Sequence, residues 1–338
     1  MTRTASEDKQ PETPHMNSFS RRTFLGTAAA GAASLALPAF AQGGKNVTLV
    51  VGAAPGGTTD IAARMLAEPL GRILGVPVVV DNRSGGNGNI AGQLVARAPG
   101  DGATLLVQYS GYQCITPLVQ AVPGFDPARD LKPIGHLIDA PQVMVVRPGF
   151  PANTFNEFLA YVKANAGKVN YASSGNGALQ HVTTELLKDL TKTFMTHIPY
   201  RGTGPALTDL LAGTVDLTIT TPPPLLPHIR SGKLKPLMVT GKVRLPTLPD
   251  VPTATELGVP LVASSWFAVY GPSALPADLQ NKLSAAVRQV VETPEFKRRA
   301  DEQGAKAIAM TPAELAALGT QERAMWERVV RVAQIKAD

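Results

Sequence analysis

The chain has 338 residues, 44% of them hydrophobic and 17% charged, which is long enough for two ordinary domains and too apolar for a disordered polymer. Its formal charge is +6, but Lys and Arg stand singly, aromatic residues are 5%, and no basic cluster recurs at helical spacing, so no nucleic-acid partner is expected. Cys114 is the only cysteine, which excludes an intramolecular disulfide, and without a CxxC or a His pair at ligand spacing no metal site or other cofactor is expected.

Ser20-Arg21-Arg22-Thr23-Phe24-Leu25 reads as a twin-arginine export signal. An Ala- and Gly-rich apolar run to about Ala36 follows it, then the small-residue cleavage site Ala39-Phe40-Ala41. Residues 1–41 are therefore set aside as signal, with 1–15 as an upstream extension if translation starts at Met16. The mature chain is expected to start near Gln42 and to reach the periplasm. No later segment has the length of a bilayer-crossing helix.

Val47 to Asp60, VTLVVGAAPGGTTD, runs a buried-type apolar strand into a glycine turn that opens a helix. Such a turn leaves backbone N–H groups pointing outward at a helix start, where an anion is best received. The run departs from a phosphate-binding loop because Thr58 stands where the lysine would be. The same glycines also suit a plain tight turn, and the loop by itself leaves that alternative open. If the turn needs positive φ or close backbone approach, a β-branched residue at Gly57 should abolish binding.

Ile61, Met65, Leu66 and Leu70 give the following helix an apolar face, with Pro69 expected to end or kink it early. Val76 to Val80 reads as a second strand and Asp81 to Asn89 as a polar turn. A helix with Ile90, Leu94 and Val95 on one side comes next, then a strand from Ala103 to Val107. Val143 to Val146 is another strand, followed by a helix opened by the capping box Thr154/Glu157 with Phe155, Phe158, Leu159 and Val162 on one face. Val169 to Ala172 leads into Ser173-Ser174-Gly175-Asn176-Gly177 and a helix with Val182, Leu186, Leu187 and Leu190. Phe194 to Pro199 leads into Tyr200-Arg201-Gly202-Thr203-Gly204 and a helix with Leu207, Leu210 and Leu211, and Val215 to Ile219 leads into Thr220-Thr221-Pro222-Pro223. The second half thus repeats the device of the first, a strand ending in a polar turn at a helix start.

Trp266 to Pro272 resembles Val143 to Pro148 in pattern, suggesting two strands that connect the halves. The C-terminal region reads as helical, with Leu279, Leu283, Val287, Val290 and Val291 on one face, Pro294 in a first turn, and a capping box at Thr311/Glu314.

The segments APGGTTDIAARMLA, VVVDNRSGGNGNIAG, YASSGNGALQHVTTELL, HIPYRGTGPALTDLLAGTVDL, LPHIRSGKL and LPDVPTATELG together resemble the extracytoplasmic solute receptors of tripartite tricarboxylate transporters, the Bug family. The resemblance spans residues 45 to 335 in order. It implies a type II periplasmic binding protein-like α/β fold, two α/β lobes joined by two crossover strands, with ligand in the interlobe cleft. It places lobe 1 in 42–142 plus 266–338 and lobe 2 in 143–265.

The resemblance further implies a small organic acid as ligand, permease subunits of a tripartite tricarboxylate transporter as partners, and a monomer. A soluble sensing partner is the alternative. One carboxylate would be held by Pro55, Gly56, Gly57, Thr58 and Asp60 in the first lobe and Ser173, Ser174, Gly175 and Asn176 in the second. Ser110, Gln113 and Thr203 are further candidates. Pro69, the tyrosines Tyr109 and Tyr112 near the cleft, and Thr220-Thr221-Pro222-Pro223 depart from the family pattern, and ligand choice is expected to differ there.

Arg83 and Arg201 are the nearest basic residues, read as solvated side chains or loop clamps rather than ligand donors. His181 is read as structural. An enzyme is not expected, because the chain lacks GxSxG and HExxH, and its five His residues form no recognisable acid–base pair with a nucleophile.

Overall fold

The computed structural model describes residues 45–332 apart from Ala121 and Pro123. The expected export signal, residues 1–41, lies outside the described residues. The first α/β unit opens with β1 (Val47–Val51), α1 (Thr58–Leu74), β2 (Val78–Asn82), α2 (Asn89–Ala96) and β3 (Thr104–Tyr109). Short helices α3 (Thr116–Val119) and α4 (Pro127–Asp130) lead to the long strand β4 (Leu131–Pro141).

The chain then enters a second sheet through β5 (Val143–Val146), α5 (Phe155–Ala164), β6 (Asn170–Ser173), α6 (Leu179–Thr191), β7 (Thr196–Pro199), α7 (Thr203–Ala212), β8 (Leu217–Thr220), α8 (Leu226–Arg230) and β9 (Lys235–Val239). It returns as β10 (Ser264–Pro272), α9 (Ala277–Val291), α10 (Pro294–Glu302), β11 (Lys306–Ala307) and α11 (Pro312–Val332).

The strands order β11-β4-β10-β3-β1-β2 in one sheet and β7-β6-β8-β5-β9 in the other. In each sheet the strands carrying the glycine turns are parallel, β1 with β2 and β3, and β6 with β7 and β8. Parallel strands with helical crossovers bring successive strand-to-helix turns to one edge, which is where ligands bind in open α/β sheets.

Two chain segments pass between the sheets, one at Gln142 and one along 240–263. Thr240, fully buried, ties them together. Its N–H donates to the Gln142 carbonyl (2.9 Å), its hydroxyl donates to the Ala263 carbonyl (2.6 Å), and the Gln142 N–H donates to that hydroxyl (2.9 Å).

The expectation for Pro69 is corrected: α1 runs through it to Leu74, ending on Gly75 in the left-handed region. The proline costs about 3 kcal/mol in a helix interior. Leu66 and Leu70, both at 0% exposure in the core, offset this at about 1.5–3 kcal/mol apiece. The face expected for α2 is also corrected. Ile90 and Leu94 are exposed, while Ala91, Gly92 and Val95 turn inward. A side chain at Gly92 would collide with the Tyr112 hydroxyl, so only the small-residue face can approach the core.

Strands β2 and β3 each run two residues past their expected ends, to Asn82 and Tyr109. The Thr311/Glu314 capping box closes in both directions at 3.2 and 2.8 Å, whereas at Thr154 the hydroxyl accepts from the Glu157 N–H (3.2 Å) but the Glu157 carboxylate accepts from the Asn153 N–H (2.7 Å), one residue earlier.

Candidate functional site

Helices α1, α6 and α7 all start without a side-chain cap, on Gly57, Ala178 and Gly202 respectively. Their first residues line one cavity of about 30 Å3: Gly57, Thr58 and Thr59 from α1, Leu179 and Gln180 from α6, and Thr203 from α7. Ala53, Ser174, Thr220, Thr221, Gln142, Ser265, Tyr109 and Phe267 complete its wall. Three helix N-termini with unspent N–H groups and dipoles directed at it make the cavity favourable to negative charge. No side chain lining it is charged.

The first-lobe loop is shaped by Asp60. Its carboxylate accepts from the Gly56 N–H (3.0 Å), Arg64 Nε (3.0 Å) and Asn82 Nδ2 (3.0 Å). Burial opposes its ionisation, but Arg64, the Gly56 N–H and Asn82 outweigh it and hold the group below the ordinary carboxylate value. Asp60 therefore anchors the turn, and its side chain does not line the cavity. Gly56 adopts φ +85°, whereas Gly57 has φ −85°. The expectation of positive φ at Gly57 thus belongs to Gly56. At Gly57 an added Cβ would lie 3.4 Å from Thr203 Cβ, an ordinary contact, so neither φ nor space requires glycine at that position.

On the other wall Gln180 is the organiser. Its Oε1 accepts from the Ser174 N–H (2.9 Å) and the Ser174 hydroxyl, while Nε2 donates to Thr203 Oγ1 (3.0 Å) and Thr220 Oγ1 (2.7 Å). One carboxamide thereby fixes three cleft-lining residues. Beneath them Tyr171, His197 and His181 stack at centroid distances of 4.9 and 4.0 Å. His197 Nε2 lies 2.6 Å from Ser173 Oγ, and His181 Nδ1 accepts from the Gly177 N–H (3.1 Å). Burial, then His181 and Lys188, push the His197 imidazole down to about 3, so it is neutral. His181 is structural, as read from the sequence.

Hydrogen bonds join the loops of the two sheets. Thr58 Oγ1 lies 2.6 Å from Thr221 Oγ1, the Ala54 N–H donates to the Arg201 carbonyl (3.3 Å), and Asn87 Nδ2 donates to the Asn176 carbonyl (3.3 Å). Pro55 reaches the same seam, because its carbonyl fills the space beside Gly204. Tyr109 borders the cavity and donates to Asn87 Oδ1 (3.3 Å), with burial pushing its phenol up to about 12.

Of the predicted residues, Gly57, Thr58, Ser174 and Thr203 meet in the cavity. Pro55, Gly56, Gly175 and Asn176 shape the turns around it, Gly175 against Asn87 in the left-handed region at φ +145°. Ser173 turns away from it to His197. Ser110 stands one layer back, 3.3 Å from the cavity-lining Ser265.

Gln113 is not brought there. It donates to the Pro127 carbonyl (3.1 Å) and lines a separate cavity of about 310 Å3 beside α11. Tyr112 is likewise corrected: at 0% exposure it sits in the first-lobe core. Arg83 pairs outward with Asp81 (2.8 Å). Gln142, Gln180 and Ser265 went unremarked in the sequence. Gln180's one available signal was an amide just inside a helix that follows a glycine turn. Among the described residues no group of three or more His, Cys, Asp or Glu is placed to hold a metal ion.

Residues 62–335 match the family described as tripartite tricarboxylate transporter family receptor. The chain is 35% identical to protein BugT of Bordetella pertussis over 288 residues, 84% of this chain and 88% of that protein. A solved structure titled R. palustris Rpa4515 with adipate superposes with a TM-score of 0.84 at 34% identity, covering 87% of this chain and 99% of that one. MatC from Rhodopseudomonas palustris with bound malate gives a TM-score of 0.81 at 33% identity, covering 85% and 99%. The family and its structural neighbours are binding proteins, in keeping with a cleft on which helix-start donors converge. The chain belongs to the tripartite tricarboxylate transporter receptor family.

Proposed function

We propose that this protein captures a small organic acid in the periplasm and presents it to the permease subunits of a tripartite tricarboxylate transporter. The observation that carries this reading is the convergence of three uncapped helix starts on one cavity with an uncharged lining. Neutral donors at helix ends can hold a carboxylate without a buried arginine, each dipole contributing about 0.3–1 kcal/mol at exposed sites and more when enclosed. The adipate and malate carried by the two Rhodopseudomonas structures support the same ligand class.

A cavity of about 30 Å3 is far below the roughly 300 Å3 of an ordinary small-molecule site. Entry therefore requires the lobes, 42–142 with 266–338 and 143–265, to part and close again about the Thr240 tie. The periplasmic address is reached through the twin-arginine signal over residues 1–41.

A melting screen of the purified mature chain against C4 to C6 dicarboxylates, tricarboxylates, aromatic acids and acidic amino acids tests the reading. A true ligand at about a hundred times its dissociation constant stabilises the fold by roughly 2.7 kcal/mol. No shift with any acid, or turnover of one, overturns the receptor assignment.

A further inference from the structure

The cavity beside α11 measures about 310 Å3 against about 30 Å3 in the cleft, and the two share no lining residue. Its volume is that of a small-molecule site, roughly 300–1,000 Å3. The floor is apolar and buried, with Leu131, Leu315 and Tyr270 at 3%, 1% and 3% exposure. Ala316, Ala324 and Glu327 are exposed and form its mouth.

Two local rules are broken around it. Gly319 lines the cavity from the interior of α11, where glycine is the least favourable residue after proline, yet no atom outside its own stretch of helix lies within 4 Å of where a Cβ would stand. A larger side chain would fit, strengthen the helix and fill the space. The β10–β4 ladder also slips here: Val269 pairs with Gly135 but Tyr270 with Pro133, which leaves Ile134 over as a bulge. Bulges re-aim side chains beside functional sites, and both Tyr270 and Pro133 line the cavity. The space is thus kept open against helix propensity and sheet regularity alike, the pattern of a region under functional demand.

The lining sets the chemistry. Arg323, its one cation, gives both Nη groups to Asp126 (2.9 and 3.0 Å), so an incoming carboxylate finds no free positive charge. Glu327, its one acid, stands at the exposed mouth, where pairing with a cation is worth little. The Tyr270 hydroxyl makes no hydrogen bond to a described residue, so a neutral acceptor entering the cavity gains a donor already stripped of water.

We propose that the cavity beside α11 is a second binding site, separate from the cleft, for a small neutral molecule with an apolar body and one hydroxyl, an alcohol or a phenol. The site does not depend on the carboxylate reading of the cleft.

The chain's two tryptophans, Trp266 and Trp326, pack in one cluster with Tyr270 and Leu315, so their emission reports on this cavity. The mature chain is titrated with 4-methylphenol and with its isostere p-xylene, each with and without 4-methylbenzoate as an acid competitor. The phenol binds about tenfold tighter than p-xylene, the scale of one buried hydrogen bond, and the acid does not displace it. Gly319→Leu melts no lower than wild type and no longer binds the phenol, while Tyr270→Phe binds phenol and xylene alike. Phenol binding that survives Gly319→Leu, or that the acid displaces, lies elsewhere and overturns the proposal. So does equal binding of phenol and xylene by the wild type, or binding of neither. Should Gly319→Leu melt lower than wild type, Ala324→Leu at the mouth blocks the cavity in its place, with the same outcomes.

Discussion

Thr58 and Thr221, one from each lobe and 163 residues apart in sequence, place their hydroxyl oxygens 2.6 Å from each other. Both side chains are buried, at 4% and 5% exposure, so this contact closes the cleft where water is largely excluded. Thr221→Val keeps the shape and removes the hydrogen bond. A net loss of about 0.5–1.5 kcal/mol weakens ligand binding roughly 2- to 12-fold, with little change in the melting temperature of the free protein. Titration of any acid found in the melting screen measures it, and an unchanged affinity would show that the contact plays no part in the bound state.

Gly204 sits inside α7, where alanine is otherwise favourable, yet a Cβ there would lie 2.1 Å from the Pro55 carbonyl oxygen of the opposite lobe. Gly204→Ala should hold the lobes apart without harming either. An overpacking cost of about 1–3 kcal/mol corresponds to roughly 5- to 150-fold weaker binding. Solution scattering of the variant with ligand should report a larger radius than wild type, and wild-type compaction would count against the closure reading.

Gln180 offers a contrast between two substitutions. Gln180→Leu strands the Ser174 N–H and removes the donor to Thr203 and Thr220, so it should lower stability by about 2–4 kcal/mol as well as abolish binding. Gln180→Glu keeps an acceptor for Ser174 and lets the two threonine hydroxyls turn round, but it sets a negative charge beside the anion site. The Glu variant should melt close to wild type and bind no carboxylate. Retained binding there would argue that the anion lies elsewhere.

Acid should loosen the second lobe before the first. His197 is held neutral, its folded value near 3 against an ordinary 6.5, so the unfolded chain takes up a proton that the native one refuses. Its contribution is fully present above the ordinary value and is lost as pH falls toward 3, at up to about 1.4 kcal/mol per pH unit. Asp60, depressed below 3.8, keeps its contribution down to that value and loses it only as pH falls further. Urea midpoints of wild type and His197→Gln between pH 7.5 and 4 check the difference. Parallel slopes for the two proteins would remove His197 as the cause.

Local pattern made much of this fold readable. Apolar runs such as Val47–Val51 and Val143–Val146 announce covered strands, and Thr154/Glu157 announces a helix start, because each signal lies within a few residues and obeys backbone geometry. Where the prediction failed, a distant partner decided. Pro69 is overridden by Leu66 and Leu70 packing on the core. Ile90 and Leu94 are turned outward because Gly92 must make room for Tyr112, and Gln113 is drawn away by the Pro127 carbonyl.

The sequence alone determined that glycine-rich turns at helix starts would recur in both halves and that an anion would suit them, because strand propensity, glycine freedom and unsatisfied N–H groups are properties of short stretches. Only the tertiary structure decided which groups face the shared space. Asp60 turns inward to hold its own loop, Ser173 turns back to His197, and Gln180 and Gln142 come forward. Local partners contribute, Gly56 and Arg64 to Asp60 and Ser174 to Gln180, but the orientations are completed by Asn82, Thr203, Thr220, His197 and Thr240, 22 to 98 residues away, which no local pattern encodes.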